Sequence, residues 1–461
     1  MKLKSLRMLA VAVAALLLVP GLLGCQDGGS SSAPSSETGG EQGVNLNGLE
    51  IVFAGLEGFY IPTDETSEDY ETMMDYKAEV EEHFNCKIKV EVYSPWDTYF
   101  QKLQDMTMAG EVIGDIVHFD NYIYPKVMLS GILMPLQDYM DVKDYDFWDQ
   151  EMEQYFLYND NVYGVSKKAS GLPAAFMFYN KTLFHEKGLD AKYDIPQLIE
   201  DKQWTWETFQ QILRDSTMDT DGDNKTDIYG LSGQGLQFGR LTNYFVRANG
   251  GAYTRMEDGK VVFTAEEPQF LEAVEFMHTL TFTDKVIGQS AEWRSYDSTA
   301  MFTRGESMFY AATNWHIQTL KAMVPEGTVI SITPIPIGPS AGGDYINFND
   351  NATVYGMPST AEHPEEAGMV FEYWLRNNPL QEKTARESYA SDVMDVESLD
   401  VVEMLASKPK VVEFSTSGYT NLMNFMLGEH GIPDMVSPST FIQENKDPIV
   451  QEIERTWAAK E

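Results

Sequence analysis

The feature that most constrains this chain is an alternation of strand-like and helix-like segments that begins at residue 49. Leu49 to Ala54 and Gly114 to Phe119 are short apolar runs, and Lys87 to Tyr93 alternates apolar with polar residues. Between them, Ser67 to Phe84 and Asp97 to Ala109 carry apolar residues at helical spacing. This order predicts an α/β fold with a parallel sheet covered by helices on both faces.

Further helix-like segments follow along the chain. We predict helices over Thr205 to Leu213, Pro268 to Leu280 and Pro364 to Leu375, the last two opening on proline. Thr66 with Asp69 is predicted to cap the first helix.

Ligands of parallel α/β sheets bind outside the carboxyl ends of the strands. The loops that follow the first three predicted strands therefore supply the first candidate binding residues. These are Glu57, Tyr60, Trp96, Asp120 and Asn121.

The N-terminus has the pattern of an export signal. Lys2, Lys4 and Arg7 precede an apolar stretch from residue 8 to residue 19, which is too short for a comfortable membrane span. Leu-Leu-Gly before Cys25 resembles the lipobox of bacterial lipoproteins, although Leu23 stands where a smaller residue is more usual. The resemblance implies a signal peptide over residues 1–24 and lipidation of Cys25; a non-lipidated secreted protein is the alternative.

Residues 25–44 are predicted to form a lipidated cysteine and a flexible tether, because residues 26–43 contain no large apolar side chain. The only other cysteine, Cys86, ends an apolar helical stripe and is predicted to be a buried, inert thiol. The chain has 33 basic and 71 acidic residues, a formal charge of −38. Such an acidic surface repels phosphate backbones, and we expect no nucleic-acid partner.

Catalytic motifs are missing from the sequence. It contains no His-Glu-x-x-His, no Gly-x-Ser-x-Gly and no Walker loop. Gly233, Gly235 and Gly239 are one residue off the dinucleotide-binding spacing, follow no clear strand and are interpreted as a turn cluster. Paired carboxylates for glycoside hydrolysis remain open, because 71 acidic residues allow many pairs.

An acidic loop has the ligand spacing of a calcium loop. Asp219, Asp221, Asp223 and Asp227 occupy positions 1, 3, 5 and 9, and the Lys225 carbonyl takes position 7. Asn at position 6 tolerates the left-handed backbone, whereas glycine at position 12 offers no bidentate carboxylate. We predict a structural calcium ion; a solvated acidic turn is the alternative.

Four stretches together resemble the extracellular solute-binding proteins of family 1, the sugar-binding components of ABC importers. They span nearly the whole mature chain, in this order: Tyr163 to Asp190, Trp204 to Leu231, Phe302 to Trp315, and Val354 to Ala367. The resemblance implies a two-lobe, periplasmic-binding-protein-like (type II) α/β fold with hinge strands between the lobes. Lobe 1 would hold residues 45–170 and 350–400, and lobe 2 residues 171–349 and 401–461.

The resemblance also directs attention to aromatic residues, since a ring stacks on the flat C–H face of a sugar while polar side chains bind its hydroxyls. Trp315 with Asn314 matches the family position best, and Trp293 with Arg294 comes next. Tyr419 is a weaker candidate. The other tryptophans are interpreted as packing residues: Trp148, Trp204, Trp206, Trp374 and Trp457.

We therefore expect a lipid-anchored, monomeric receptor on the extracellular face of a bacterial membrane, with no enzymatic activity. It would capture a carbohydrate, expected to be an oligosaccharide, in the interlobe cleft and deliver it to ABC transporter permease subunits. The first crossover, residues 170–175, lacks the acid often found there, which counts against a simple disaccharide. A surface glycoside hydrolase and a binding protein for peptides or another non-sugar solute are the alternatives.

Overall fold

The computed structural model describes residues 44–56, 58–93, 96–120, 124–168, 172–233, 237–257, 260–288, 297–348, 353–380, 383–411, 422 and 437–458. All of them lie in one compact unit that begins at Gly43. The predicted signal peptide, Cys25 and the tether up to residue 43 lie outside these ranges and stay predictions. No helix within the described ranges is both long and apolar enough to cross a membrane.

The described residues form fifteen strands and fifteen α-helices. The strands are β1 (Leu49–Gly55), β2 (Cys86–Val92), β3 (Ile116–Asp120), β4 (Leu133–Met134), β5 (Leu157–Tyr158), β6 (Asn161–Val162), β7 (Ala175–Asn180), β8 (Tyr229–Gly233), β9 (Thr254–Glu257), β10 (Lys260–Phe263), β11 (Ser307–Thr313), β12 (Ile330–Thr333), β13 (Asn347–Phe348), β14 (Thr353–Pro358) and β15 (Lys410–Val411).

The helices are α1 (Glu68–Phe84), α2 (Trp96–Ala109), α3 (Tyr124–Leu129), α4 (Gln150–Phe156), α5 (Lys181–Glu186), α6 (Ile195–Glu200), α7 (Trp206–Ser216), α8 (Gln237–Ala248), α9 (Pro268–His278), α10 (Asp297–Thr303), α11 (His316–Met323), α12 (Pro364–Arg376), α13 (Ala385–Tyr389), α14 (Val396–Ala406) and α15 (Pro438–Ala458). A π-helical turn, Thr279–Thr283, follows α9.

The first sheet has the strand order β2-β1-β3-β14-β4 among the described residues. β1 lies parallel to both β2 and β3, as the alternating pattern predicts. β14 runs antiparallel to β3 and to β4, and it reaches this sheet from a distant part of the chain. The first sheet is therefore mixed, with its parallel strands on one side.

Helix α1 covers one face of this sheet because its apolar residues fall at helical spacing. Met73, Tyr76 and Val80 are buried against Phe53 of β1 in one apolar cluster. The predicted cap is wrong: Ser67, not Thr66, precedes the helix, and its hydroxyl accepts a hydrogen bond from a backbone N–H in the first turn. Cys86 is buried, as predicted, and burial raises the pKa of its thiol, which keeps it protonated.

The second sheet has the order β12-β7-β11-β8. β11 lies parallel to β8, whereas β7 runs antiparallel to β11 and β12. Four of the tryptophans interpreted as packing residues are buried, namely Trp148, Trp204, Trp206 and Trp374, and the side chain of Trp457 lies outside the described part. The interpretation of the glycines as a turn cluster that follows no strand is wrong: Gly233 is the last residue of β8, and Gly239 lies in α8.

The two sheets are joined by crossing segments that pair with each other. The backbone N–H of Val165 donates to the Tyr355 carbonyl at 2.9 Å, and that of Ala174 donates to the Phe348 carbonyl at 2.8 Å. The Ser166 hydroxyl adds a bond to the Thr353 carbonyl at 2.9 Å. The outgoing and the returning chain thus pair where they leave and re-enter the sheets, on either side of residues 169–171 and 349–352, which lie outside the described ranges.

A partly buried polar network ties α14 to the second sheet. Asp395 caps α14 through the Ser398 backbone N–H at 3.1 Å, pairs with Lys181 at 3.1 Å and accepts a bond from the Ser331 hydroxyl. The Ser398 hydroxyl in turn accepts from the Ile332 N–H at 2.8 Å. The predicted division into lobes stays a prediction. It assigned residues 395–398 to lobe 1, whereas the contacts of these residues described above are with the second sheet.

We expect Asp395→Ala to lower the free energy of unfolding by about 2 to 4 kcal/mol, since it removes a helix cap and leaves a buried hydroxyl without its acceptor. The control is Asp400→Ala, whose carboxylate is 64% exposed beside Arg386 and should change stability by about 0.5 kcal/mol or less. Urea unfolding followed by circular dichroism measures both. Equal effects of the two substitutions would contradict the network.

Candidate functional site

The first sheet presents one set of strand ends to the crossing segments. β1 ends at Gly55 and β3 ends at Asp120, while Thr353 of the antiparallel β14 pairs with Asp120. Tyr60, in the loop after β1, is 41% exposed. This edge is where a ligand of an α/β sheet is expected.

The second sheet presents its own edge to the same segments. β11 ends at Thr313, opposite Ala175 at the start of β7, and β8 ends at Gly233. The Asn314 N–H donates to the Ala174 carbonyl at 2.9 Å, directly beside the crossing strands. Phe348 and Thr353 are five residues apart, so the chain between them can separate the two edges by at most about 18 Å.

Asn314 is held in place by a residue that no local sequence signal indicates. Its Nδ2 donates to the Tyr389 hydroxyl at 3.0 Å, and that hydroxyl donates to the Pro173 carbonyl at 2.6 Å. Burial raises the pKa of Tyr389 to about 12, so the phenol keeps its proton at neutral pH. Within the described residues no group donates to Asn314 Oδ1, which leaves this oxygen able to accept a hydrogen bond from a ligand.

Trp315 is exposed at the same edge. Its side chain is 56% exposed, the highest value among the described tryptophans. The indole lies beside the ring of buried His316, with ring centres 3.9 Å apart. The two ring planes are tilted by 39°, and more than half of Trp315 remains exposed, which leaves aromatic surface available for stacking.

His118 lies under the first edge. It is 4% exposed, it faces the Phe59 ring edge-on at 5.0 Å, and within the described residues its Nδ1 has no hydrogen-bond partner. A Cβ atom at Gly55 would overlap the imidazole, so only glycine fits there. Burial lowers the pKa of His118 to about 4, and the ring is neutral at neutral pH.

The structure describes only part of the predicted binding set. Tyr60 lies at the first edge, and Asn314 with Trp315 lies at the second. The backbone of Trp96 opens α2 and that of Asp120 closes β3, but their side chains lie outside the described part. Glu57, Asn121, Trp293, Arg294 and Tyr419 also lie outside it.

The acidic loop brings three of its four carboxylates together. Asp219, Asp221 and Asp227 each have a carboxylate oxygen within 4.8 Å of the others. Asp223 instead pairs with the Lys225 ammonium at 2.8 Å. Asn224 has φ 65°, the left-handed conformation predicted at the sixth position. The donor set is one that calcium accepts, since all of its atoms are oxygens.

A protein-family model described as bacterial extracellular solute-binding protein matches residues 53–393, which is more than half of the chain.

Solved structures with a similar fold include the galacto-N-biose-/lacto-N-biose I-binding protein of the ABC transporter from Bifidobacterium longum, in complex with lacto-N-biose. It has a TM-score of 0.63 at 13% identity, over 89% of this chain and 98% of that one. An ABC substrate-binding protein from Listeria monocytogenes, in complex with cycloalternan, has 0.59 at 17% identity, over 88% and 98%. The sugar-binding protein MalE of Xanthomonas citri has 0.60 at 16% identity, over 89% and 98%.

These likenesses cover the known structures almost completely and confirm the predicted fold class. The chain has the two-lobe, type II α/β fold of periplasmic binding proteins. The crossing segments described above join its two sheets.

The buried, neutral His118 predicts a pH dependence of stability. Its folded pKa of about 4 lies below the unfolded value of about 6.5, so the unfolded chain binds the extra proton. The contribution of neutral His118 to the free energy of unfolding should fall by about 3 kcal/mol as the pH drops from 6.5 to 4. Above pH 6.5 this contribution should be constant. Urea unfolding at a series of pH values should show a shallower fall for His118→Gln.

The control is His185→Gln. His185 is exposed, and its hydrogen bond with Asp190 raises its pKa. Replacing His185 should therefore not make the fall in the free energy of unfolding between pH 6.5 and pH 4 shallower. An unchanged pH profile for His118→Gln would contradict the neutral, buried state of His118.

Proposed function

Since this chain belongs to the bacterial extracellular solute-binding proteins, we propose that it captures a carbohydrate, an oligosaccharide, between its two lobes and delivers it to an ABC importer. Hinge closure would trap the ligand and present one surface to the permease subunits. The protein acts as a receptor and leaves the sugar chemically unchanged.

The observation that carries the carbohydrate proposal is the exposed Trp315 beside Asn314. An exposed indole offers a flat apolar surface of the kind that stacks on the C–H face of a sugar ring. Asn314 Oδ1 is an acceptor for a hydroxyl at the rim of that face. A peptide ligand would instead favour unpaired strand edges.

The solved structures with this fold support the same ligand class. One is bound to lacto-N-biose, one to cycloalternan, and the third is described as sugar-binding. All three are similar to this chain in fold at low sequence identity, so they support a class of ligand and not a particular sugar.

The location proposal rests on the sequence. Lipidation of Cys25 would hold the protein as a monomer on the outer face of the cell membrane, and the tether would let it reach the permease. An anchored receptor gains effective concentration near its partner without any new contact. Mass spectrometry of the protein purified from membranes would detect acyl chains on an N-terminal Cys25 and would distinguish it from a secreted, non-lipidated form.

Calorimetric titration of the purified protein with a panel of oligosaccharides tests the ligand class. For a sugar that binds, Trp315→Ala should weaken binding tenfold or more, equivalent to about 1.4 kcal/mol, because a stacking surface is lost. Trp315→Phe should retain part of the affinity. Met323→Ala, at the other end of α11 and also exposed, is the matched control and should bind as the unaltered protein does.

Three outcomes would contradict this function. Binding of peptides with no sugar bound would favour the non-sugar receptor. Release of reducing ends, lost on a single Asp or Glu substitution, would favour the glycoside hydrolase. Equal affinity of Trp315→Ala and the unaltered protein would remove Trp315 from the site.

We also propose a structural calcium ion in the loop of residues 219–227, held by Asp219, Asp221 and Asp227 with Asp223 and the Lys225 carbonyl as further donors. Three carboxylates this close repel one another, and a divalent cation would relieve that repulsion. Lys225 offsets part of the charge on Asp223, and this carboxylate would have to turn from the ammonium to reach the ion.

Calcium at about 1 mM should raise the melting temperature by roughly 1–3 °C relative to chelator, since an ion that binds only the folded state stabilises it. Asp221→Asn should abolish the rise. Asp75→Asn, on the exposed side of α1, should keep it in full. A melting temperature that does not respond to calcium would favour a solvated acidic turn.

A further inference from the structure

Two adjacent aromatic residues after β1 have left-handed backbone conformations. Phe59 has φ 53° and Tyr60 has φ 72°. Bulky residues avoid this region, because their Cβ atoms crowd the neighbouring carbonyl oxygen, and strain of this kind is often kept at functional sites. The other adjacent pair of this kind in the described residues, Asn159 and Asp160, forms the ordinary two-residue turn between β5 and β6.

The Phe59 side chain is fixed by the core beneath the first edge. Its ring is 2% exposed, is stacked on Phe53 at 5.2 Å and meets His118 edge-on at 5.0 Å. Phe371 of α12 completes this side of the pocket at 6.3 Å. The ring therefore cannot leave without opening a cavity in the apolar cluster.

The Phe59 backbone is fixed as well. Nε1 of Trp374 donates a hydrogen bond to the Phe59 carbonyl at 3.2 Å, and Trp374 is fully buried. The Ile61 N–H closes the turn on the Gly58 carbonyl at 3.0 Å. Helix α12 thus holds both the ring and the carbonyl of the strained residue.

The fixed position of Phe59 determines the orientation of Tyr60. With Phe59 buried and its backbone held, Tyr60 is turned outward at the carboxyl edge of the first sheet, where it is 41% exposed. Its hydroxyl lies 3.5 Å from that of Tyr355, a buried residue of β14. An exposed ring on a fixed backbone loses little freedom when a ligand binds, which is the advantage of pre-organisation.

We propose that Tyr60 is a pre-organised stacking platform of the first lobe for a sugar ring, and that Phe59 and Trp374 are its positioning residues. This inference rests on the proposed carbohydrate function and assigns to it a surface on the first lobe in addition to Trp315. The strain at residues 59 and 60 is the cost of presenting an aromatic ring, where glycine or asparagine would form the same turn with less strain.

Tyr60→Asn tests the platform, because asparagine tolerates the left-handed backbone and lacks the ring. We expect the affinity for the sugar identified in the panel to fall tenfold or more, while the melting temperature stays the same or rises. Tyr60→Phe should stay within threefold of the unaltered protein. The control is Tyr70→Asn, on the partly buried side of α1, which should leave the affinity unchanged.

Trp374→Phe tests the positioning role, since it removes the N–H donor and keeps an aromatic ring in the core. We expect a three- to tenfold loss of affinity. The double variant Tyr60→Asn/Trp374→Phe should bind no more weakly than Tyr60→Asn alone, because Trp374 acts only through Tyr60. A purely structural tryptophan would give additive losses, and that result would overturn the positioning role.

The outcomes separate this inference from the function on which it rests. If the unaltered protein binds no sugar of the panel, the proposed function fails and the platform with it. If it binds a sugar and Tyr60→Asn binds equally well, only the platform is overturned. Should Trp374→Phe fail to fold, the Tyr60 variants alone decide the proposal, and Phe59→Leu replaces Trp374→Phe in the double-variant cycle.

Discussion

The structure depends on the pairing of two chain segments at the points where they leave and re-enter its sheets. Backbone bonds join Val165 to Tyr355 and Ala174 to Phe348. Each sheet is completed by chain that has crossed at this place, since β14 returns to the first sheet after the second has been built. Without this pairing the strand ends of the two sheets would not share one region, and residues from both could not meet one ligand.

Much of the fold could be predicted from local pattern. The apolar run of β1 and the helical stripe of α1 show in the sequence, because each element buries one face and the period of that face is short. Gly233 was missed as a strand end, since β8 is Tyr-Gly-Leu-Ser-Gly and carries little strand signal of its own. Its strand character comes from pairing with β11.

Residues of the candidate site could be predicted from the sequence only where a place after a predicted strand implies an exposed side chain. Trp315 and Tyr60 are candidates because they follow predicted strands or match a family segment, and the structure leaves both exposed. Tyr389 could not be found, because its bond to Asn314 spans 75 residues. The same holds for the contact between Trp374 and Phe59, which spans 315 residues. Trp374 was interpreted correctly as a core residue, but its hydrogen bond to the Phe59 carbonyl has no signal in the local sequence. Local sequence does not show which distant side chain supplies a hydrogen bond.

The two proposed sugar-binding surfaces are supported in different ways, and this matters for closure. On the first lobe, a strained turn held by α12 fixes Tyr60. On the second, Tyr389 bonds both Asn314 and Pro173, so the polar group beside Trp315 is tied directly to a crossing segment. A hinge movement that displaces Pro173 would therefore also displace Asn314, because Tyr389 is hydrogen-bonded to both residues. Tyr60, in contrast, would move with its lobe as a rigid part.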